Sequence, residues 1–483
     1  MSTTQINNPT SRVRFGLART DITPPVGIYH RLWGAARHDR ATGVHRPITC
    51  EVMIFGALGD APDAPPRHVR AVLDLPGMVD TQHEDLVNII AEKTGATPDQ
   101  IAISFSHTHA SGWFVPDRIP LPGGELIPGY LEELNRKVGE TAAKAMSNIQ
   151  EVSISYATGR SNMAGNRDYW DVERELYACG YNPDAPADDT VMVARVTDTG
   201  GKIVATVVNY GCHPTTLAWD NSLISPDYIG ALRETVEQAT GATCVFVLGA
   251  CGDLGPREGF VGDTAVADRN GRQVGYAALS ALESMDPPLT DFVYTGPVVS
   301  GATLGTWAPQ PQSSERLAAA TQIEGGRHFV ELPVREAPDR GELERDLANW
   351  EAKSAAAEAQ GNVQEARDAR AYAERARRWL ARLDDIPQGE TIPVQFSVQR
   401  MGDALWVTCG GEPYNILQVE LRRRHPGVPM IISPVSGDLQ IAYLLPEDRY
   451  GLGLYQEEPS ILGKGCLEGL IEAIDECVQE LVD

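Results

Sequence analysis

Short β-branched and aliphatic runs recur along the chain from Val13 onward, separated by stretches whose apolar positions fall three and four residues apart. The runs predict strands over Glu51 to Gly56, Val69 to Leu73, Ile101 to Phe105, Val152 to Ala157, Val191 to Val196, Ile203 to Tyr210 and Thr243 to Leu248. Further strands are expected over Val394 to Arg400, Ala404 to Thr408 and Met430 to Ser433. The helical spacing predicts helices over Thr81 to Thr94, Tyr130 to Ile149, Tyr228 to Ala239, Gly271 to Ser284 and Ile461 to Leu481. Such alternation implies an α/β fold with mixed β-sheets flanked by helices. Met1 to Ser11 is polar and is expected to fray.

One stretch breaks the alternation. Residues 340–383 are rich in Ala, Glu and Arg, with Leu343, Leu347 and Trp350 on one stripe and Tyr372, Ala376, Trp379 and Leu383 on another. Gly361-Asn362 separates the two stripes, which predicts an α-helical hairpin. A hairpin packed at the periphery, a lid and a contact in a homo-oligomer all satisfy this pattern. No repeat and no low-complexity linker divides the chain, so residues 12–483 are expected to form a single catalytic domain with this hairpin inserted.

Composition narrows the partners. The 483 residues carry 66 acidic against 41 basic side chains, a net charge of −25. Phosphate backbones are bound by neutralising them with Lys and Arg, so nucleic acid and anionic membrane surfaces are disfavoured partners. With 42% hydrophobic and 22% charged residues, disordered and fibrous classes are excluded. The best apolar run, Ala242 to Ala250, falls well short of the ~18 residues of a membrane span. The N-terminus has no basic segment followed by an apolar one, so a cytoplasmic protein is expected. Eight scattered cysteines without CxxC pairing point to free thiols.

The chemistry is concentrated where strands give way to loops. There is no GxSxG, GxxxxGK[ST], HExxH or complete GxGxxG motif, which disfavours ordinary serine hydrolases, P-loop enzymes and dinucleotide oxidoreductases. His107-Thr-His109 follows one strand; on an extended segment both rings point the same way and can approach one ion, or one can bind while the other serves a substrate. His213 follows a second strand, and Glu412 follows a third after two glycines. In α/β sheets ligands collect beyond the carboxyl ends of strands. Tyr443, Tyr450 and Tyr455 come later and offer phenol groups.

Taken in order, these segments resemble the amino-terminal catalytic domain of the neutral/alkaline ceramidase family. The resemblance begins at Gly16-Leu-Ala-Arg-Thr-Asp-Ile-Thr-Pro-Pro-Val-Gly27 and continues through Gly43-Val-His-Arg-Pro-Ile48 and Ser106-His-Thr-His-Ala-Ser-Gly112. It then runs through Asn166-Arg167, the His213 strand, Ile224-Ser-Pro-Asp-Tyr-Ile-Gly230, Gly249-Ala-Cys-Gly-Asp253, Gly411-Glu412 and the tyrosines. It implies one zinc ion held by His107, His213, Glu412 and Tyr443. It also implies that His109, Arg167 and Tyr455 surround the reacting carbonyl.

Three departures qualify the likeness. Gly255 stands where that family has a serine implicated in ceramide cleavage, so a serine-dependent step is not expected there. Neither the family's secretory signal nor its carboxyl-terminal immunoglobulin-like domain is expected from this sequence. The expected activity is therefore zinc-dependent hydrolysis of an amide or ester bond in a small soluble molecule by metal-activated water. A zinc lyase or isomerase using the same residues, or a non-catalytic metal-binding relative, are the alternatives.

Overall fold

A computed structural model describes residues 4–61, 63–383, 386, 389–437 and 441–482. The main sheet has eight strands, in chain order β1 (Thr10–Asp21), β2 (Thr49–Gly56), β3 (His68–Leu73), β4 (Ile101–Phe105), β5 (Gln150–Arg160), β6 (Thr190–Asp198), β7 (Ile203–Tyr210) and β8 (Thr243–Leu248). Their spatial order is β8-β7-β6-β5-β1-β2-β3-β4. The two outermost pairs are parallel, Leu73 opposite Phe105 and Tyr210 opposite Leu248; the inner pairs are antiparallel. A second, four-stranded sheet has the order β9 (Ile323–Pro333), β10 (Thr391–Met401), β11 (Ala404–Cys409) and β12 (Met430–Ser433), with β11 and β12 parallel.

Three apolar layers follow from the strand pattern. One face of the main sheet is covered by helices α1 (Asp80–Thr94), α2 (Ile127–Ser147), α3 (Tyr228–Thr240) and α4 (Thr264–Glu283), which bury residues such as Leu86, Leu134, Leu232 and Val274 against Ile54, Ile103 and Phe246. The other face packs Phe15, Phe55 and Val207 against Met401, Trp406 and Ile431 of the smaller sheet. The outer face of that sheet is closed by the C-terminal helix Cys466–Val482, through Leu470 and Ile474 against Phe396 and Ile432. Strand side chains alternate between faces, so Val207 enters one layer and Val208 the other. Among the described residues no helix is long and apolar enough to cross a membrane.

The curvature of the main sheet sets up the site. Twist of roughly 20–25° per strand accumulates over the sheet, and β8 comes to lie against β3 and β4 at the opposite edge. The carboxyl ends of β4 and β7, which run oppositely within the sheet, are thereby carried to one place.

The predicted strands and helices all form, with shifted ends. The helix expected from Gly271 begins at Thr264, and the one expected from Ile461 begins at Cys466, after Gly465 takes a φ of 86°. The N-terminus is less frayed than expected. Met1 to Thr3 lie outside the described residues, but Gln5–Ile6 pairs with Phe292–Val293, and Thr10 and Ser11 are buried in β1. The strands Thr290–Ser300 and Ala302–Pro311 were not anticipated. They form an exposed ribbon, with Val299 83% exposed, so no buried face leaves an alternating signature. All eight cysteines are free thiols, as expected.

The helical hairpin is present as α5 (Arg340–Ala359) and α6 (Val363–Arg382). Asp339 caps α5 by accepting from Glu342 N at 2.9 Å, and Asn362 caps α6 by accepting from Glu365 N at 3.3 Å. Gly361, at φ 72°, makes the reversal between them. Trp350 stacks on Tyr372 across the pair with centroids 4.6 Å apart.

Candidate metal centre

The loop after β4 places two imidazoles at the mouth of the curved sheet. His107 adopts the left-handed region, at φ 65°, which is costly for a residue with a Cβ. Its N–H donates to Leu75 O at 3.0 Å and its ring Nδ1 lies 2.5 Å from Pro76 O. His213, after β7, is fully buried, with Nδ1 2.6 Å from Cys251 O. In both rings a carbonyl at Nδ1 fixes the proton there and leaves the Nε2 lone pair facing inward, the orientation that metal-binding histidines take.

Glu412 arrives from the smaller sheet. Gly411 precedes it at φ 67°, and a Cβ there would sit 2.6 Å from Ala442 O. That close approach lets Glu412–Pro413 pair in parallel with Tyr443–Leu444, so carboxylate and phenol enter side by side. Gly252 supports the same turn, since a Cβ on it would stand 2.4 Å from Glu412 O.

The donor atoms converge. Glu412 Oε2 is 2.8 Å from His213 Nε2 and 3.4 Å from His107 Nε2. Tyr443 Oη is 3.4 Å from His213 Nε2, and His109 Nε2 is 3.3 Å from His107 Nε2. Four donors held tetrahedrally at ~2.1 Å from zinc would be separated by about 3.4 Å. Of the three spacings among His107, His213, Glu412 and Tyr443, two match that edge, and the shortest sets the Glu412 oxygen and the His213 lone pair face to face, as an ion between them would require. The His107, His109 and His213 group can hold a metal ion.

Electrostatics agree with that use. Burial pushes the His213 ring down to about 4, with the Arg167 cation adding to the fall and Glu412 opposing it. His109 is held well below the usual histidine range, first by burial and then by the neighbouring His107 and His213. Neutral rings keep lone pairs free. Glu412 stays ionised because His107 and His213 outweigh the upward push of burial. Tyr443 is driven up by burial, with Glu412 raising it and Arg167 opposing, so its phenolate form calls for a cation alongside.

Arg167 is locked beside the phenol. Its Nη2 donates to Tyr443 Oη at 2.9 Å and to Gly252 O at 2.7 Å. Tyr455 presents its ring edge-on to Tyr443, with centroids 5.9 Å apart, and is 48% exposed. His107, His109, Arg167, Glu412, Tyr443 and Tyr455 all line one cavity of about 1460 Å³, with His213 packed against its floor. Other quoted segments serve the framework: Asp227 caps α3, Asn166 and Asp253 tie the Arg167 strand to Asn415, and Tyr450 Oη donates to Leu462 O at 3.1 Å.

Two parts of the cavity have no motif in the sequence. An aromatic wall is built from Trp33, Trp219 and Phe260, with Trp33 5.3 Å from the His109 ring. The far wall is α6, through Tyr372, Glu374, Arg378, Trp379 and Arg382. Glu374 anchors it, accepting from Arg118 at 2.8 and 3.0 Å, from Arg378 at 3.0 Å and from Arg31 at 3.3 Å. The hairpin left open as peripheral, lid or subunit contact is thus a wall of the site cavity. Gly255 lies at the floor; a Cβ on it would meet Thr215 Oγ1 at 3.7 Å and Arg167 Cδ at 3.8 Å, so a serine would fit there.

No protein-family model and no curated protein matches the chain. Solved structures do. A neutral ceramidase from Pseudomonas aeruginosa superposes with a TM-score of 0.64 at 14% identity, covering 98% of this chain and 75% of that one. A ceramidase complexed with C2 gives a TM-score of 0.64 at 15% identity over the same shares. The αββα framework therefore has the fold of a neutral ceramidase.

Proposed function

We propose that the chain is a zinc-dependent hydrolase that cleaves an amide or ester bond by activated water. The observation that carries this reading is the inward convergence of the His107 and His213 Nε2 atoms, Glu412 and Tyr443, with both Nδ1 atoms tied to backbone carbonyls. The amide preference is supported by the likeness to ceramidases.

His107, His213, Glu412 and Tyr443 would hold the ion. When bound, zinc supplies a Lewis acid for the scissile carbonyl and lowers the pKa of water toward ~7. His109, kept neutral beside the ligands, accepts the proton of the attacking water and returns it to the leaving nitrogen or oxygen. Arg167 keeps positive charge against Tyr443 and the cavity floor, where negative charge develops. Tyr455 donates from the opposite wall to the forming oxyanion. The aromatic wall of Trp33, Trp219 and Phe260 receives the apolar part of the acyl group. No serine enters this scheme, which suits glycine at 255.

Product analysis tests the reading. Purified protein supplied with zinc and a panel of N-acyl and O-acyl substrates should release acid plus amine or alcohol. An unsaturated product without acid would make it a lyase.

A further inference from the structure

The charge of the cavity differs from that of the chain. Although the protein carries a net charge of −25, the wall formed by α6 and the segment before α5 contributes Arg335, Arg378 and Arg382. Most nearby carboxylates are already occupied. Glu374 is shared among Arg31, Arg118 and Arg378, while Glu458 accepts from Arg375 Nε at 2.5 Å and from Trp379 Nε1 at 2.8 Å.

Two guanidinium groups are left over. Arg382 sits over the Trp379 ring, its Cζ 3.8 Å from the centroid, and its buried Nε has no hydrogen-bond partner among the described residues. Among the described residues Arg335 donates only to a backbone oxygen, that of Glu457. Neither meets a carboxylate in an ion pair among the described residues. Burial lowers Arg382 to about 10, and repulsion from Arg378 and Arg335 adds to the fall while Glu458 and Tyr455 oppose it. A partly desolvated cation held among other cations is costly unless an anion completes it.

We propose that Arg382 and Arg335 form an anion subsite, so that the substrate is an acyl compound carrying a carboxylate on the portion that faces α6. A carboxylate suits it better than a phosphate. A stacked guanidinium pairs bidentately with a planar monoanion, and the flanking Glu374, Glu457 and Glu458 oppose a dianion. The inference rests on the hydrolase reading only for the bond cleaved, not for the binding of the anion.

The test uses the full zinc-loaded protein with N-benzoylglycine, N-benzoyl-γ-aminobutyrate and N-benzoyl-ε-aminocaproate, each paired with its primary amide. Binding is read by calorimetry and turnover by released benzoate. At least one acid should bind, and show a kcat/KM, roughly 10-fold or more above its amide. Arg382→Leu should bring both ratios toward one, Arg382→Lys should keep an intermediate ratio, and Arg335→Gln provides a second variant if the first fails to fold. Equal binding of every acid and its amide by the parent, or no binding of any acid, would overturn the subsite. Selective binding without turnover would uphold the subsite and count against the hydrolase reading. Turnover without selectivity would do the reverse.

Discussion

The two ends of the cavity are built on opposite principles. At the floor, His107, His213, Glu412 and Tyr443 sit on or just past strand ends, each orientation fixed by a backbone contact: Pro76 O, Cys251 O, or the Glu412–Tyr443 pairing. At the far wall, α6 brings Glu374, Arg378 and Arg382 on a helix held by side-chain ion pairs to Arg31 and Arg118. The floor is positioned by sheet topology and the wall by electrostatics. A reaction centre needs the first kind of rigidity, whereas a surface that selects substrates can be exchanged with an inserted hairpin.

Substitutions can separate the two ends. The largest effect belongs to the floor: His107→Ala should reduce turnover to background, with zinc affinity falling by more than about 10²-fold. Equilibrium dialysis with zinc, followed by the acyl-substrate assay, measures both. Glu374→Ala should act on the wall, because it leaves the buried Arg118 with only the 3.3 Å contact to Asp117. Losses of this kind cost about 3–5 kcal/mol, read as denaturant midpoint, while zinc content stays at the parental level.

The same carboxylate predicts a pH dependence. Burial pushes Glu374 up, but Arg378, Arg118 and Arg31 outweigh it and hold the group at about 2 against an ordinary 4.5. A depressed carboxylate contributes stability that is fully present above the unfolded value near 4.5 and lost as pH falls toward 2, by up to about 3 kcal/mol. Denaturation curves between those limits should show this slope in the parent and a shallower one in Glu374→Gln.

Much of the floor was legible in the sequence, because strands with continuous β-branched runs end at the residues that carry chemistry. His107, His213 and Glu412 each follow such a run. What the sequence did not reveal was that β4 and β7, antiparallel within the sheet, would meet; that depends on accumulated twist, a property of the whole sheet. The wall shows the complementary case. The stripes and the Gly361-Asn362 break announced a hairpin, yet nothing local said that Glu374 would reach Arg31 and Arg118, more than two hundred residues away. The exposed ribbon at Thr290–Ser300 was silent because it buries neither face.

Two smaller effects sharpen the contrast. Tyr455→Phe should retain the metal and lower kcat by roughly 10²-fold if the phenol donates to the oxyanion; an unchanged kcat would remove it from the mechanism. Gly255→Ser should be the mildest change, within about 1 kcal/mol of parental stability, because its new Cβ meets only ordinary contacts at 3.7 and 3.8 Å. Thermal melts decide it, and a large loss would mean that the floor is packed more tightly than the geometry allows.

The most direct measurement is the metal content of the purified protein beside that of His213→Ala, by elemental analysis after dialysis against zinc. About one zinc per chain is expected in the parent, and its loss in the variant. A parent without bound zinc, or a variant that keeps all of it, would contradict the assigned centre.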